Sequence, residues 1–180
     1  MARIQPLTYD EAAPEARDEW NRQVKAHSRM TNMKRTLARS PLALRVYMEW
    51  YPLRDEVAAF LGDRLTGLFA HAISTRNDCL ICSTFFRRYF LDAGLDPDEA
   101  VLNEREQAVL AFGRQLATDA NTVSDELYAS LAEFLEPDQI VSLTAFGGQM
   151  IATNLFNNAL RVDLDEYLES YRKQAASHES

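Results

Sequence analysis

Apolar residues recur along this chain at spacings of three and four, the period of an amphipathic helix. No segment alternates as a half-buried strand would. The first helix carries Ala12, Ala16, Trp20 and Val24 on one face. Thr8-Tyr9-Asp10-Glu11 has the capping-box form and opens it, and it ends near His27. Asn32 caps a short helix through Ala38. Ser40-Pro41 starts another, with Leu44, Tyr47, Met48 and Tyr51 inward, and Pro52 ends or kinks it. From about Asp63 to Thr75, Leu65, Leu68, Phe69, Ala72 and Ile73 form an apolar stripe. The opposite face is small (Thr66, Gly67, Ala70, Ser74) and admits a close neighbour, with His71 at its edge.

The next helix is capped by Asn77 or Asp78 and stopped by Gly94. It aligns Cys79, Cys82, Phe86, Tyr89, Phe90 and Ala93. Asp96-Pro97-Asp98-Glu99 predicts a short helix to about Leu102, and Asn103 caps a longer one with Val109, Leu110, Phe112 and Leu116. Ser124 caps a helix through Leu127, Tyr128, Leu131, Phe134 and Leu135. Glu136-Pro137 opens a helix apolar nearly all round, from Ile140 to Leu155. Its Gly147-Gly148 pair permits a close crossing, and Asn154, Asn157 and Asn158 need partners if buried. Residues 163–180 predict a charged short helix and a loose tail.

With 180 residues, nearly half of them apolar, this is an all-α chain of one domain's length with a sizeable core. A net charge of −8 speaks against a nucleic-acid partner. No apolar run is long enough to cross a membrane. The N-terminal residues lack the apolar core of a secretion signal, so the expected compartment is the cytoplasm, where a structural disulfide is not expected.

The candidate chemistry is the pair Cys79 and Cys82, the chain's two cysteines. A thiolate at a helix N-terminus is stabilised by unpaired amides, and CxxC spacing brings the sulfurs close enough for a disulfide. That suits a dithiol–disulfide cycle, in which one sulfur attacks an oxidant and the other resolves the product. A structural zinc wants four ligands. Of His27, His71 and His178 only His71 is near the pair in sequence, so no metal is expected.

Several pieces resemble the carboxymuconolactone decarboxylase-like, alkylhydroperoxidase D-like superfamily. They are Met1-Ala2-Arg3-Ile4, Pro14-Glu15-Ala16-Arg17, Ser40-Pro41, Cys79-Leu80-Ile81-Cys82, Asn103-Glu104-Arg105-Glu106, Val123-Ser124-Asp125 and Asn157-Asn158-Ala159-Leu160. The resemblance implies a single-domain helical bundle over residues 1–162, of about seven to nine helices given ordinary helix lengths, assembled as a homo-oligomer. It implies reduction of a small peroxide without a metal or organic cofactor, and a dithiol protein as reductant. Cys82 would attack the peroxide and Cys79 would resolve it.

Two positions depart from that pattern. Gly67 and Phe86 stand where the redox members carry a glutamate and a histidine, so the carboxylate–imidazole–thiol relay is missing. General-base help is worth about two to four orders of magnitude, and a slow enzyme is one consequence. His71, one helical turn beyond Gly67, is the candidate replacement base. Two other outcomes stay open: a non-catalytic oligomeric or ligand-binding protein, and a decarboxylase of a small lactone acid, which would want a cationic pocket. Arg87 and Arg88 are near for that role, although Arg88 points away from the cysteine stripe.

Overall fold

The computed structural model describes residues 1–173, and these are helical throughout, with no strand among them. In order come α1 (Pro14–His27), α2 (Asn32–Leu37), α3 (Pro41–Glu49), α4 (Tyr51–Leu61), α5 (Asp63–Arg76) and α6 (Leu80–Asp92). Then follow α7 (Glu104–Asp119), α8 (Asp125–Ala132) and α9 (Pro137–Leu160), with short 3-10 helices at Ala120–Thr122 and Glu166–Tyr171.

The start signals act as local chemistry dictates. Ser40 and Ser124 side chains accept the amides of Ala43 and Leu127. Asn103 with Glu106, and Glu136 with Gln139, close capping boxes. Six expectations need correction. Thr31 rather than Asn32 caps α2, accepting the Lys34 amide, and Cys79 rather than Asn77 or Asp78 stands at the N-cap of α6. Thr8 and Glu11 exchange their capping bonds around a turn, and the helix itself begins at Pro14. Its buried face is Ala16, Glu19 and Gln23, while Val24 is exposed, because Arg22 and Arg45 hold the Glu19 carboxylate inward. Pro52 sits in the first turn of α4, where its missing N–H has no partner to lose, so a helix stands where none was predicted. Residues 96–102 form turns, because the Asp96 and Asp98 carboxylates are drawn to Arg87. The expected loose tail lies beyond Tyr171, largely outside the described residues.

α5 is the central element: every residue from Leu65 to Ser74 is buried. α4, α6, α7 and α9 pack around it. The packing is closest at two glycines. A Cβ on Gly113 would lie 2.8 Å from Phe69 Cε2, and one on Gly147 would lie 2.8 Å from Leu116 Cδ1. The Phe69 and Phe146 rings stack beside them, centroids 6.0 Å apart.

The buried apolar residues fall into two clusters. The larger joins α4, α5, α7, α8 and α9 around Phe69 and takes Phe90 from the far half of α6. The smaller is built on the N-terminal segment, with Leu7, Ala16, Met33, Leu37, Leu44 and Met48. It receives the near end of α6: Cys79, Ile81 and Cys82. The cysteine helix therefore bridges two cores, and its thiols belong to the N-terminal one.

Candidate active site

The turn before α6 fixes the pair. Asp78 has φ +51°, and the Asp78 and Cys79 amides bond back to the carbonyls of Thr75 and Ser74. This is the six-to-one closure that usually ends on glycine. Cys79 thus finishes the closure of α5 and is at once the N-cap of α6. Only Asn77, Asp78 and Cys79 separate the helices, and the first sulfur sits at the corner between them.

Both thiols are free and buried, Cys79 1 % and Cys82 6 % exposed. Asn157, on the last turns of α9, aims its side-chain N–H group at them. Its Nδ2 lies 3.4 Å from Cys82 Sγ, 4.0 Å from Cys79 Sγ and 3.6 Å from Met33 Sδ. Its Oδ1 is buried with no partner among the described residues. An open cleft of about 420 Å3 runs past this amide, lined by Asn77, Asp78, Leu80, Ile81, Asn158 and Arg161.

The pair divides its acidity. The Cys82 thiol donates toward Cys79, and with the amides of Cys82 and Ile81 and the Asn157 side chain this lowers the Cys79 pKa despite burial. Neither amide closes a full capping bond on the sulfur, but both act on it. Cys82 moves the other way, well above an ordinary thiol, because it supplies that hydrogen bond, is buried and faces Cys79. The first cysteine is therefore the more acidic of the two.

His71 does not join them. It lines a separate cleft of about 370 Å3 with Thr75, Arg76, Pro97, Asp98 and Arg114. Burial lowers its pKa, and Asp98 and Arg87 are the nearest strong charges acting on it. Asn157 takes the place beside the sulfurs that was expected for the imidazole. Nor is there room for the family's carboxylate, since a Cβ on Gly67 would lie 2.9 Å from Phe90 Cζ. Phe86 packs on the main core. Arg87 pairs with Asp96 and Asp98, so it supplies no cation to the thiols. Arg88 pairs with Asp92 and lies over Tyr167.

The sequence singled out neither Tyr51 nor Lys34 for chemistry. Tyr51, at the start of α4, is 41 % exposed. Its pKa is pushed up to about 12 by burial first, then by Cys82 and Tyr167. Lys34 on α2 is 7 % exposed, and its ammonium lies 6.0 Å from the Tyr51 ring centroid. The one sequence signal was the asparagines in an otherwise apolar helix; Lys34 resembled any surface lysine. Among the described residues no cluster of three or more His, Cys, Asp or Glu could hold a metal ion. None of the described helices is long and apolar enough to cross a membrane.

No sequence-family model matches the chain, and neither does any curated protein. Solved structures do. A peroxidase-related protein from Ralstonia eutropha JMP134 with an alkylhydroperoxidase AhpD core superposes with a TM-score of 0.73. It is 16 % identical, over 93 % of this chain and 94 % of that one. The chain adopts the alkylhydroperoxidase D-like fold. A putative antioxidant defence protein of this type from Agrobacterium tumefaciens gives a TM-score of 0.62 at 21 % identity, over 70 % of this chain and 92 % of that one. The debrominase Bmp8 gives 0.74 at 17 % identity, covering 93 % of this chain and 95 % of its own. A cysteine-to-alanine variant of that debrominase is solved with 2,3,4-tribromopyrrole. At these identities the likeness is one of fold.

Proposed function

We propose that this protein reduces small hydroperoxides by cycling Cys79 and Cys82 between dithiol and disulfide. The observation that carries this is the pair itself: two free thiols at the N-terminus of one helix, facing one buried amide donor. Cys79 takes over part of the missing base's work. Once Cys79, the more acidic thiol, has lost its proton, its sulfur accepts the Cys82 proton as Cys82 Sγ attacks the terminal peroxide oxygen. The O–O bond breaks, Cys82 becomes a sulfenic acid, and the leaving alkoxide takes a proton from solvent. The Cys79 thiol then condenses with the sulfenic acid, forming the disulfide and releasing water. A dithiol protein restores the pair. Asn157 Nδ2 steadies the sulfur charge throughout, and its free Oδ1 is an acceptor for the hydroperoxide O–H.

Supporting a homo-oligomer, α9 leaves Val141 and Leu155 exposed, and α3 leaves Leu42 and Val46 exposed. A second reading is reductive debromination of a small bromoarene. It uses the same two thiol electrons: one sulfur takes bromine from the ring carbon, which gains a proton, and the other displaces bromide. The debrominase neighbours and the apolar surroundings of the pair favour it.

The test is thiol loss on reduced protein titrated with cumene hydroperoxide, beside Cys82→Ser and Cys79→Ser. The expected result is loss of two thiols per chain, a Cys79–Cys82 disulfide, and sulfenic acid trapped at Cys82 when Cys79 is absent. Sulfenic acid at Cys79 instead would reverse the roles. Thiols inert to peroxide that release bromide from 2,3,4-tribromopyrrole would establish the second reading, and thiols inert to both would leave a non-catalytic scaffold.

A further inference from the structure

The cleft that holds His71 is framed by two parallel helices. Arg64 pairs with Glu106, Gly113 lies against Phe69 and Ile73, and Arg76 Nε donates to Thr118 Oγ1 at 2.6 Å. The first and last of these contacts each join residues 42 apart, so α5 and α7 run side by side in the same sense. Leu68 then stands opposite Leu110, and Ala72 opposite Arg114. Along α5, Leu68, His71 and Ala72 share one face at helical spacing, as Leu110 and Arg114 do along α7. The cleft of about 370 Å3 is therefore apolar at one end, with Leu68 and Leu110, and basic at the other, with Arg76 and Arg114.

His71 stands between these ends. It is 8 % exposed, makes no hydrogen bond among the described residues, and forms part of the cleft wall. Burial lowers its pKa, so near neutral pH the ring is uncharged, with one N–H to give and one lone pair to accept. A polar ring so enclosed ordinarily has a partner, and the space before it is where one fits. The charges on the wall set the sign of that partner. Asp98 is its one carboxylate and is taken by Arg87 at 2.6 Å and Lys173 at 2.9 Å. Thr118 holds only the Nε of Arg76, and Arg114 has no ion pair among the described residues. In a chain of net charge −8 this wall is left positive.

We infer that this cleft is a second binding site, separate from the thiols, for a small organic acid. The carboxylate lies at the Arg76 and Arg114 end with His71 hydrogen-bonding to it, and the apolar body covers Leu68 and Leu110. Guanidinium groups pair with carboxylates through two parallel hydrogen bonds, and the leucines gain by losing water. An inorganic anion would use only the basic end, and an uncharged ring only the apolar one. The inference goes beyond the thiol reading and does not depend on it.

The probe is benzoate, titrated into the full chain by calorimetry, with the histidine rings followed by NMR and the His71 signal assigned by its loss in His71→Gln. Benzoate should saturate one site per chain and shift the His71 signal but not that of His27. Arg114 is exposed, so Arg114→Met leaves the core alone. That variant should bind benzoate about 10- to 100-fold more weakly, the worth of one hydrogen bond to a charged group. Lys25→Met, on α1, should bind as the wild type does. Benzyl alcohol and inorganic phosphate each carry one half of the ligand and should bind more weakly than benzoate. Unchanged affinity in Arg114→Met, an unmoved His71 signal, or phosphate binding as tight as benzoate overturns the site. The protein with both Cys79→Ser and Cys82→Ser should keep its affinity; loss of binding there would put benzoate at the thiols and overturn the inference. Wild-type thiols inert to cumene hydroperoxide would count against the peroxide reading alone and leave this site standing.

Discussion

The two hydrophobic clusters bury polar chemistry on opposite terms. Around Phe69 the packing is tight, with glycines at the helix crossings and ring faces against them. The N-terminal cluster contains the thiols, and Asn157 and three buried charged residues, Glu19, Lys34 and Asp165, belong to the segments around it. Glu19 and Lys34 differ again. Glu19, 1 % exposed, accepts from Arg22 at 2.7 Å, Gln23 at 3.0 Å and Arg45 at 3.3 Å. Lys34, almost as deeply placed, has no such partner among the described residues.

The contrast can be broken or sharpened by mutation. The largest effect belongs to the Phe69 cluster. Phe69→Ala should destabilise by about 3–5 kcal/mol, read from the denaturant midpoint. An equal loss from Lys34→Met would erase the distinction between the clusters.

Lys34→Met should act in the opposite direction and raise stability at neutral pH. The folded pKa of about 8 lies below the ordinary 10.5, so between these values the unfolded chain binds more protons. Wild-type stability should therefore climb with pH across that window. The advantage of Lys34→Met should be full below about pH 8 and fade toward 10.5. Melting curves of both proteins from pH 6 to 10.5 check this, and a pH-independent difference would mean that Lys34 is neutralised by a partner. Glu19→Gln is the matched control and should lose stability.

The smallest effect is at the corner between α5 and α6. Asp78→Gly frees a left-handed residue and should stabilise by up to about 1 kcal/mol. It also removes a carboxylate next to Cys79, so the first thiol should react with iodoacetamide at a lower pH. A loss of stability would show that Asp78 is needed at the turn for more than its backbone angle.

Much of the fold was legible because helix signals are local. Ser40, Asn103, Ser124 and Glu136-Pro137 each set a start through bonds spanning three residues, and Gly94 stops α6 with φ +76°. Errors came where a distant group competed. Glu19 rotated the buried face of α1, and Arg87 drew Asp96 and Asp98 out of a helical turn. Pro52 misled differently, since one residue type both stops and starts helices.

The candidate site divides in the same way. By itself the sequence determined that two thiols stand at the head of one helix and that asparagines near the end of an apolar helix would need partners; its resemblance to the redox members of one superfamily put Gly67 and Phe86 where those carry a glutamate and a histidine. Only the tertiary structure decided that Asn157 meets the sulfurs, that Phe90 fills the space beside Gly67, and that His71 lines another cleft. It also decided that Lys34 is buried under Tyr51. The reason is separation along the chain: Lys34, Tyr51, Cys82 and Asn157 come from four different helices. Their charges and dipoles act through space over a few ångströms, a distance that helical periodicity does not encode.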